Sequence, residues 1–408
     1  MNILLAVSGS IAAYKSYDLA RLFVKGGHTV RVVLTEGALE FIKPETFRYI
    51  GIEDVYLPTD DFDPKNLKAG ATVLHIELSK WADKVVIAPA SAHTIAKLSL
   101  GLNNDLLGSL FLALPAKPVI IFPAMNTFMW NDPGTQAHIK KLSEKKHVAV
   151  INPVSGLLAC GDVGAGKFPE VEAVKTLSET MSPLMVKNKK VIITAGATAS
   201  PLDPVRYLTN PSSGKMGISI AKSFLEAGYD VTVLAGHNCS EEVNHLLGHP
   251  SFHLKKTPTT ELMKVAALAE FPSVDLYIST GAIADIEFEV ASEKLKKEQM
   301  QDSIPFRKAA DILGEILKIR KNQKVVSFAA ETQTTKEVFQ EKMNRKPVDL
   351  MVGNKVSNGL IGSAEIQGFQ KNEGEYFFVK KDSLTGPHAL SKLELGRKLV
   401  GWFEGKDL

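Results

Sequence analysis

The opening stretch Asn2-Ile3-Leu4-Leu5-Ala6-Val7-Ser8-Gly9-Ser10-Ile11-Ala12-Ala13-Tyr14-Lys15 decides the fold. After Asn2 comes an unbroken apolar run, as in a strand covered on both faces, and then a turn of small residues. A helical pattern continues to about Val24, Gly26-Gly27 ends it, and residues 29–34 read as a second strand. Strand, helix and strand in that order make one unit of an open parallel sheet. The plan recurs later in the chain: 191–194 reads as a strand, 217–226 as a helix, Gly228 as its C-terminal stop and 231–234 as another strand. The sequence therefore predicts an α/β protein with two Rossmann-like open parallel-sheet domains. Polar and lysine-rich residues between Ser182-Pro183 and Lys190 interrupt the two patterns, which places the join at about 186 and the domains at 1–186 and 187–408.

A length of 408 residues suits two or three domains of ordinary size. Apolar residues at 45% and charged residues at 23% predict well-filled cores and little disorder. The 48 basic and 45 acidic side chains leave a net charge of +3, too small a bias to imply a nucleic-acid or membrane partner. Cys160 and Cys239, the only cysteines, cannot build a disulfide framework or a four-sulfur metal site, and they fit a reducing compartment. Residues 1–6 lack the basic region and cleavage site of a signal peptide, and the most apolar later stretch, 106–125, is broken by Pro115, Lys117, Pro118 and Pro123. A cytoplasmic protein is expected.

Further buried strands are expected at 84–88, 118–122, 148–151, 275–279, 324–329 and 350–352. Ligands of such sheets bind beyond the carboxyl ends of the strands, so the loops that follow them are where chemistry belongs. Gly9-Ser10 offers backbone N–H groups and a hydroxyl to an anion at a helix start, although a plain strand-to-helix turn uses the same residues. No G-x-G-x-x-G is present, and Thr35 stands where a dinucleotide site would carry an acid, so a mononucleotide phosphate fits better than NAD. Ser91 and Thr94 make a second hydroxyl-rich loop at the same sheet edge.

His75, in His75-Ile76-Glu77-Leu78, can act as a base near neutrality, although a lone histidine is more often structural. Asn126 follows a buried strand in Pro123-Ala124-Met125-Asn126-Thr127-Phe128-Met129-Trp130, where its amide can meet a carboxylate or an amine, or simply make a turn. The glycine-rich run 155–167 is expected to be mobile or to close tightly on a ligand, and Cys160 within it is a candidate acid. Gly161-x4-Gly166-Lys167 is not a P-loop, because Phe168 replaces the magnesium-binding hydroxyl and Pro169 follows where a helix should start.

Together, Gly9-Ser10-Ile11-Ala12-Ala13-Tyr14-Lys15, His75, Ala88-Pro89-Ala90-Ser91-Ala92, the 123–130 block and Ala159-Cys160-Gly161 resemble the flavin-containing cysteine decarboxylases, specifically the phosphopantothenoylcysteine decarboxylases. These ordered motifs cover most of the first half; His93 stands where the family usually has Asn, and Lys167 where Arg is common. The resemblance implies a flavodoxin-like domain that binds FMN through Gly9, Ser10, Thr35 and Ser91, with the phosphate near Ser10 and Thr35. It also implies that hydride leaves the carbon bearing sulfur for the flavin, that carbon dioxide departs from the thioaldehyde, and that the hydride then returns. In that scheme His75 assists the first deprotonation, Asn126 binds the carboxylate and Cys160 protonates the enethiol. A free thiol, with a pKa of about 8.5, is protonated at neutral pH and so can serve as an acid.

In the second half, Thr209-Asn210-Pro211-Ser212-Ser213-Gly214-Lys215-Met216-Gly217 opens a helix, where Ser212, Ser213 and Gly214 suit a phosphate or an elaborate cap. Gly281-Ala282-Ile283-Ala284-Asp285 follows a strand. Ser292-Glu293-Lys294-Leu295-Lys296-Lys297 carries a lysine run, a solvated face unless a triphosphate stands opposite. With Phe328-Ala329-Ala330-Glu331-Thr332 and Gly353-Asn354, these segments resemble the phosphopantothenate-cysteine ligases, and the order of the halves is similar to the bacterial bifunctional coenzyme A biosynthesis proteins.

That resemblance implies CTP and Mg²⁺: the 4′-phosphopantothenate carboxylate attacks the α-phosphate, and the amine of cysteine displaces CMP from the acyl-cytidylate. Asn210 then handles the acyl-cytidylate and Lys294 stabilises charge. Ser212, Ser213, Gly214, Lys215, Ala282, Asp285, Lys296, Lys297, Phe328, Glu331, Arg345 and Lys346 are the implied nucleotide or substrate contacts, and the metal contacts stay unassigned. Ala195-Gly196-Ala197-Thr198-Ala199-Ser200 departs from the family's usual Gly-Gly-Thr-Arg-Glu, while Asp203 and Arg206 remain nearby. A homo-oligomer with trimeric decarboxylase contacts and dimeric ligase contacts is implied, a dodecamer being one assembly that combines them.

Two other readings use the same residues. One is a flavin redox protein with an appended nucleotide-binding module, which would release no carbon dioxide. The other is a non-enzymatic regulatory subunit, against which the intact His75, Asn126, Cys160, Asn210 and Lys294 argue.

Overall fold

The computed structural model of the chain describes residues 1–63, 73–296, 303–356 and 373–408. They form two compact units, Met1–Val186 and Lys187–Leu408. The first carries β1 (Asn2–Val7), β2 (Thr29–Leu34), β3 (Val55–Tyr56), β4 (Lys84–Ala90), β5 (Val119–Pro123) and β6 (Val148–Val150), then β7 (Val154–Leu157) and β8 (Val163–Lys167) as an antiparallel hairpin. β1 to β6 make one parallel sheet in the order β3-β2-β1-β4-β5-β6. Setting aside the short β3, this is the flavodoxin order. Ile3, Leu5 and Val7 enter one buried cluster with Leu19, Phe23 and Leu177, whereas Leu4 and Ala6 enter another with Ile95, Leu98 and Leu110. Helices therefore cover both faces, which is why β1 reads as an unbroken apolar run instead of an alternation.

The loops after β1 and β4 leave the sheet in opposite senses and open a crevice between them. Ser8 ties its two sides together: its hydroxyl accepts the Ser91 N–H at 2.8 Å and donates to the Pro89 carbonyl at 2.9 Å.

The second unit carries β9 (Lys190–Ala195), β10 (Ala199–Pro201), β11 (Tyr207–Thr209), β12 (Asp230–Ala235), β13 (Phe252–Lys256), β14 (Leu276–Ser279), β15 (Ile286–Phe288), β16 (Phe306–Lys308), β17 (Lys324–Glu331), β18 (Leu350–Lys355), β19 (Glu373–Lys380) and β20 (Ser383–Ser391). Its main sheet runs β13-β12-β9-β14-β17-β18-β19-β20, parallel as far as β18 and then extended by the antiparallel β19 and β20. Val191 and Ile193 face one cluster and Ile192 the other, repeating the two-sided burial of β1. The crevice is repeated too, and Thr194 bridges it by accepting the Gly281 N–H at 3.0 Å. Among the described residues, no helix is long and apolar enough to cross a membrane.

Candidate functional site

Two cavities open at the carboxyl ends of β1 and β4. One, of about 520 Å³, is lined by Gly9, Thr35, Gly37, Thr59, Ser91 and Thr94 together with the exposed Glu36 and His93. The other, of about 550 Å³, is lined by Gly9, Ser10, Ser91, Met125, Asn126, Cys160 and Lys167 among others. Gly9 and Ser91 belong to both. A Cβ on Gly9 would lie 2.8 Å from the Gly37 carbonyl oxygen, so the loops after β1 and β2 meet backbone to backbone only because that side chain is missing. Ser10 accepts the Ala12 N–H and donates to the Ala124 carbonyl, both at 3.3 Å. Ser91 caps the helix Ala92–Leu100 by accepting the Thr94 N–H at 3.2 Å. Thr35 is buried.

The run 155–167 is neither a loose loop nor a phosphate loop, but the β7–β8 hairpin with an exposed Cys160 at its turn. Glycine lets it dock. The Met125 N–H donates to the Gly166 carbonyl at 3.0 Å, a Cβ on Gly164 would stand 2.5 Å from Thr127 Oγ1, and one on Gly166, where φ is +132°, would run into the Met125 carbonyl oxygen. Docking brings Cys160 to Asn126. Asn126 Oδ1 accepts the Phe128 N–H at 2.8 Å, which fixes the amide orientation and aims Nδ2 at Cys160 Sγ, 3.3 Å away. Asp162, which the sequence did not single out, accepts from the Cys160 thiol at 3.4 Å.

His75 lines neither cavity. It sits in the first turn of the helix Leu74–Trp81, with ring Nδ1 2.9 Å and 2.8 Å from the two oxygens of the buried Asp61. Within one chain, then, Ser10, Ser91, Asn126 and Cys160 come together and His75 stands apart.

In the second unit, Gly196 (φ +81°) and Gly214 (φ +71°) touch at the end of β9: a Cβ on Gly214 would lie 2.8 Å from the Gly196 nitrogen and 3.0 Å from Cys239 Sγ. Gly214 leads into the helix Lys215–Glu226. Ser212 beside it is buried, and Ser213 Oγ is buried without a hydrogen-bond partner among the described residues, a group that gains from a ligand. Lys215 pairs with Glu242 at 3.2 Å. Asn210 Nδ2 donates to the carbonyls of Ala282 (3.4 Å) and Ile283 (3.3 Å), so the loops carrying Asn210 and the exposed Asp285 are joined. Burial, helped by Glu241, pushes the Cys239 thiol up to about 11 and makes it a poor nucleophile.

Lys294 is exposed, but its neighbour Leu295 is held on both backbone groups: the N–H donates to Asp203 at 3.2 Å and the carbonyl accepts from Arg206 at 2.7 Å. Hydrogen bonds from Arg206 above all, and from the N–H groups of Val205, Arg206 and Leu295, hold the Asp203 carboxyl well below the usual carboxylate range. Asp203 and Arg206 thus fix the lysine run that contains Lys294 and Lys296. Lys297 lies outside the described residues. On β17, Phe328 packs against the core and Glu331 is paired with Lys342. Burial, with Arg345 and Lys346 nearby, pushes the Lys342 ammonium down, and Lys346 itself pairs with Asp311 at 2.6 Å. No group of three or more His, Cys, Asp or Glu side chains is placed to hold a metal among the described residues.

Residues 1–181 match the Flavoprotein family, and residues 186–405 match the DNA/pantothenate metabolism flavoprotein C-terminal domain. The chain is similar along most of its length to relatives named coenzyme A biosynthesis bifunctional protein CoaBC. That of Vibrio cholerae is 38% identical over 95% of this chain and 93% of its own. The Haemophilus influenzae protein is 37% identical over 98% and 96%, and the Bacillus subtilis protein 36% identical over 88% and 87%.

Proposed function

The chain belongs to the family of bifunctional coenzyme A biosynthesis proteins, and on that premise we propose that it joins cysteine to 4′-phosphopantothenate and decarboxylates the product to 4′-phosphopantetheine. Decarboxylation with FMN is assigned to residues 1–186, and ligation with CTP and Mg²⁺ to residues 187–408. The observation that carries the reading is the 3.3 Å contact between Asn126 and Cys160 in a cavity sharing Gly9 and Ser91 with its neighbour.

The lining suits FMN. Gly9 and Gly37 let the loops after β1 and β2 meet at the crevice, while Ser10, Thr35, Ser91 and Thr94 supply hydroxyls for one phosphate, and Glu36 on the rim can turn to solvent. Bound there, FMN would supply reversible two-electron oxidation of the carbon bearing sulfur. Asn126 Nδ2, aimed into the site, donates to the substrate carboxylate. Cys160, in hydrogen-bond reach of Asn126, protonates the enethiol. His75, the base for the first proton, reaches the site from another copy of the chain, in keeping with trimeric contacts. The exposed apolar side chains of Ile11, Tyr14, Phe128, Leu157 and Val163 give such contacts a surface. In the ligase half, the orphaned Ser213 hydroxyl and the Gly214 helix start take up phosphate. Asn210 handles the acyl-cytidylate, and Lys294 faces the charge that develops at phosphorus.

Gly166→Ala tests the hairpin. Keeping it docked would force a side chain into the Met125 carbonyl at positive φ, at a cost of about 1–3 kcal/mol, so the hairpin should lift and take Cys160 with it. Phosphopantetheine formation is expected to fall at least about tenfold while CMP release stays normal; unchanged formation would show that docking is dispensable.

The reading as a whole is tested by supplying the purified protein with phosphopantothenate, cysteine, CTP and Mg²⁺ and following CMP and carbon dioxide separately. Both should appear, from a yellow protein carrying FMN. CMP without carbon dioxide would return the first unit to flavin redox chemistry, and bound NAD or FAD would overturn the FMN assignment.

A further inference from the structure

Asp61 lies in a short turn, Asp60–Phe62, before the helix Leu74–Trp81, and its side chain is 2% exposed. All of its side-chain hydrogen bonds to described residues go to one residue. Oδ1 accepts the His75 backbone N–H at 3.0 Å, and Oδ1 and Oδ2 stand 2.9 Å and 2.8 Å from His75 Nδ1. The helix needs that first bond, because Val73 at its N-cap position has no side chain able to cap it. The ring contacts add nothing to the cap. They do fix the chemistry of the ring: an ionised carboxylate only accepts, so Nδ1 must carry a hydrogen and, in the neutral ring, Nε2 is left bare. The His75 side chain is 25% exposed, so the far end of a ring anchored by Nδ1 is open to approach.

We propose that Asp61 is a positioning residue for the decarboxylase reaction: it selects the His75 tautomer whose free Nε2 takes the substrate's first proton, and it pairs with the imidazolium that results. The proposal rests on the role given to His75 above. The thiol proton of phosphopantothenoylcysteine passes to Nε2, the ring becomes cationic between Nε2–H and Nδ1–H, and the buried carboxylate is already in place beside it. The ring needs no reorganisation when the charge appears.

The contact geometry separates this role from simple capping. In Asp61→Asn the His75 backbone N–H still requires an acceptor, so the amide oxygen stays at the Oδ1 position and the amide NH₂ falls where Oδ2 was, against Nδ1. An amide NH₂ there, 2.8 Å from Nδ1, opposes an Nδ1–H and favours the ring that accepts at Nδ1 and carries its hydrogen on Nε2, even though the amide oxygen also lies 2.9 Å from Nδ1, so the form able to act as the base is depleted. Asp61→Ala removes the cap but lets both tautomers exist. The two variants should therefore rank in opposite order by two measures: thermal stability wild type, Asn, Ala, and kcat for decarboxylation wild type, Ala, Asn. For Asp61→Asn the loss in kcat should be about 10²–10³-fold with KM little changed. FMN content and CMP release should remain normal in the full-length protein. A wild-type kcat in Asp61→Asn, or an Ala variant slower than the Asn variant, would overturn the proposal, and the Asn result decides alone if Asp61→Ala fails to fold. The ring ¹⁵N resonances of His75, assigned by their loss in His75→Asn, give a reading independent of turnover: Nδ1 protonated in wild type and Nε2 protonated in Asp61→Asn. Normal decarboxylation by His75→Asn together with that exchange would reject His75 as the base while leaving the tautomer control standing; the same tautomer in both proteins would reject the control itself.

Discussion

Cys160→Ser should stop the decarboxylase reaction between its two redox halves: carbon dioxide still leaves, but the product is the enethiol, two hydrogen masses lighter than the saturated thiol. On the proposed roles, loss of carbon dioxide needs the substrate carboxylate bound at Asn126 and the carbon bearing sulfur oxidised, and neither step uses the cysteine. The return step does, because the carbon that lost carbon dioxide must gain a proton as the hydride comes back. Serine keeps the shape and can still accept from Asn126 Nδ2, which lies 3.3 Å from the sulfur. A hydroxyl is, however, a far weaker acid than a thiol. Formation of the saturated product should fall by about 10²–10⁴-fold, the usual weight of a positioned proton donor. The two electrons taken from substrate are then not returned, so without dioxygen one enethiol should form per FMN, and in air the reaction should continue. Mass spectrometry of the thiol products alongside carbon dioxide release distinguishes the two halves. Normal phosphopantetheine formation would remove Cys160 from the role, and Asp162, 3.4 Å from the sulfur, would be the next donor to examine.

What the sequence disclosed and what it withheld follow from where the information sits. β1, β4, β5, β9, β14 and β17 announce themselves as apolar runs because both faces of each are covered, and the glycines and hydroxyls that follow β1 and β9 mark the crevices. β20 was invisible because it is a largely exposed strand of mixed polarity, and the β7–β8 hairpin because its glycines, there for close approach to Met125 and Thr127, look like loop residues. The site partners were hidden for a different reason. Asp61 lies 14 residues before His75 in an acid-rich stretch with nothing local to mark it, and Asp203 and Arg206 meet Leu295 only through the fold, 92 and 89 residues apart in sequence. The proposed substrate contacts carry motif signals, whereas the residues that hold them in place meet them through contacts that no spacing reveals.

Lys294→Gln is expected to strike ligation alone. The lysine is exposed, yet the backbone next to it is gripped by the Asp203–Arg206 pair, so its ammonium swings from a fixed point. A lysine on a mobile, solvated face would owe nothing to such an anchor, since an exposed charge in water contributes little to a distant partner. In the proposed ligation, as the phosphopantothenate carboxylate attacks the α-phosphate of CTP, negative charge gathers on oxygens that a preorganised cation can meet. Removing one such donor commonly costs about 10²–10³ in rate. Glutamine keeps a polar side chain one atom shorter than lysine and loses the charge, so acyl-cytidylate formation, read as CMP release in the presence of cysteine, should drop by that factor. Decarboxylation of supplied phosphopantothenoylcysteine should be unchanged, because its residues lie in the other unit, Met1–Val186. Arg206→Ala provides the matching control: it leaves Lys294 intact but frees the Leu295 carbonyl, so ligation should weaken even though the charge remains. If Lys294→Gln ligated at the wild-type rate, the lysine run would be a solvated face after all, and the grip on Leu295 would serve only to hold the chain.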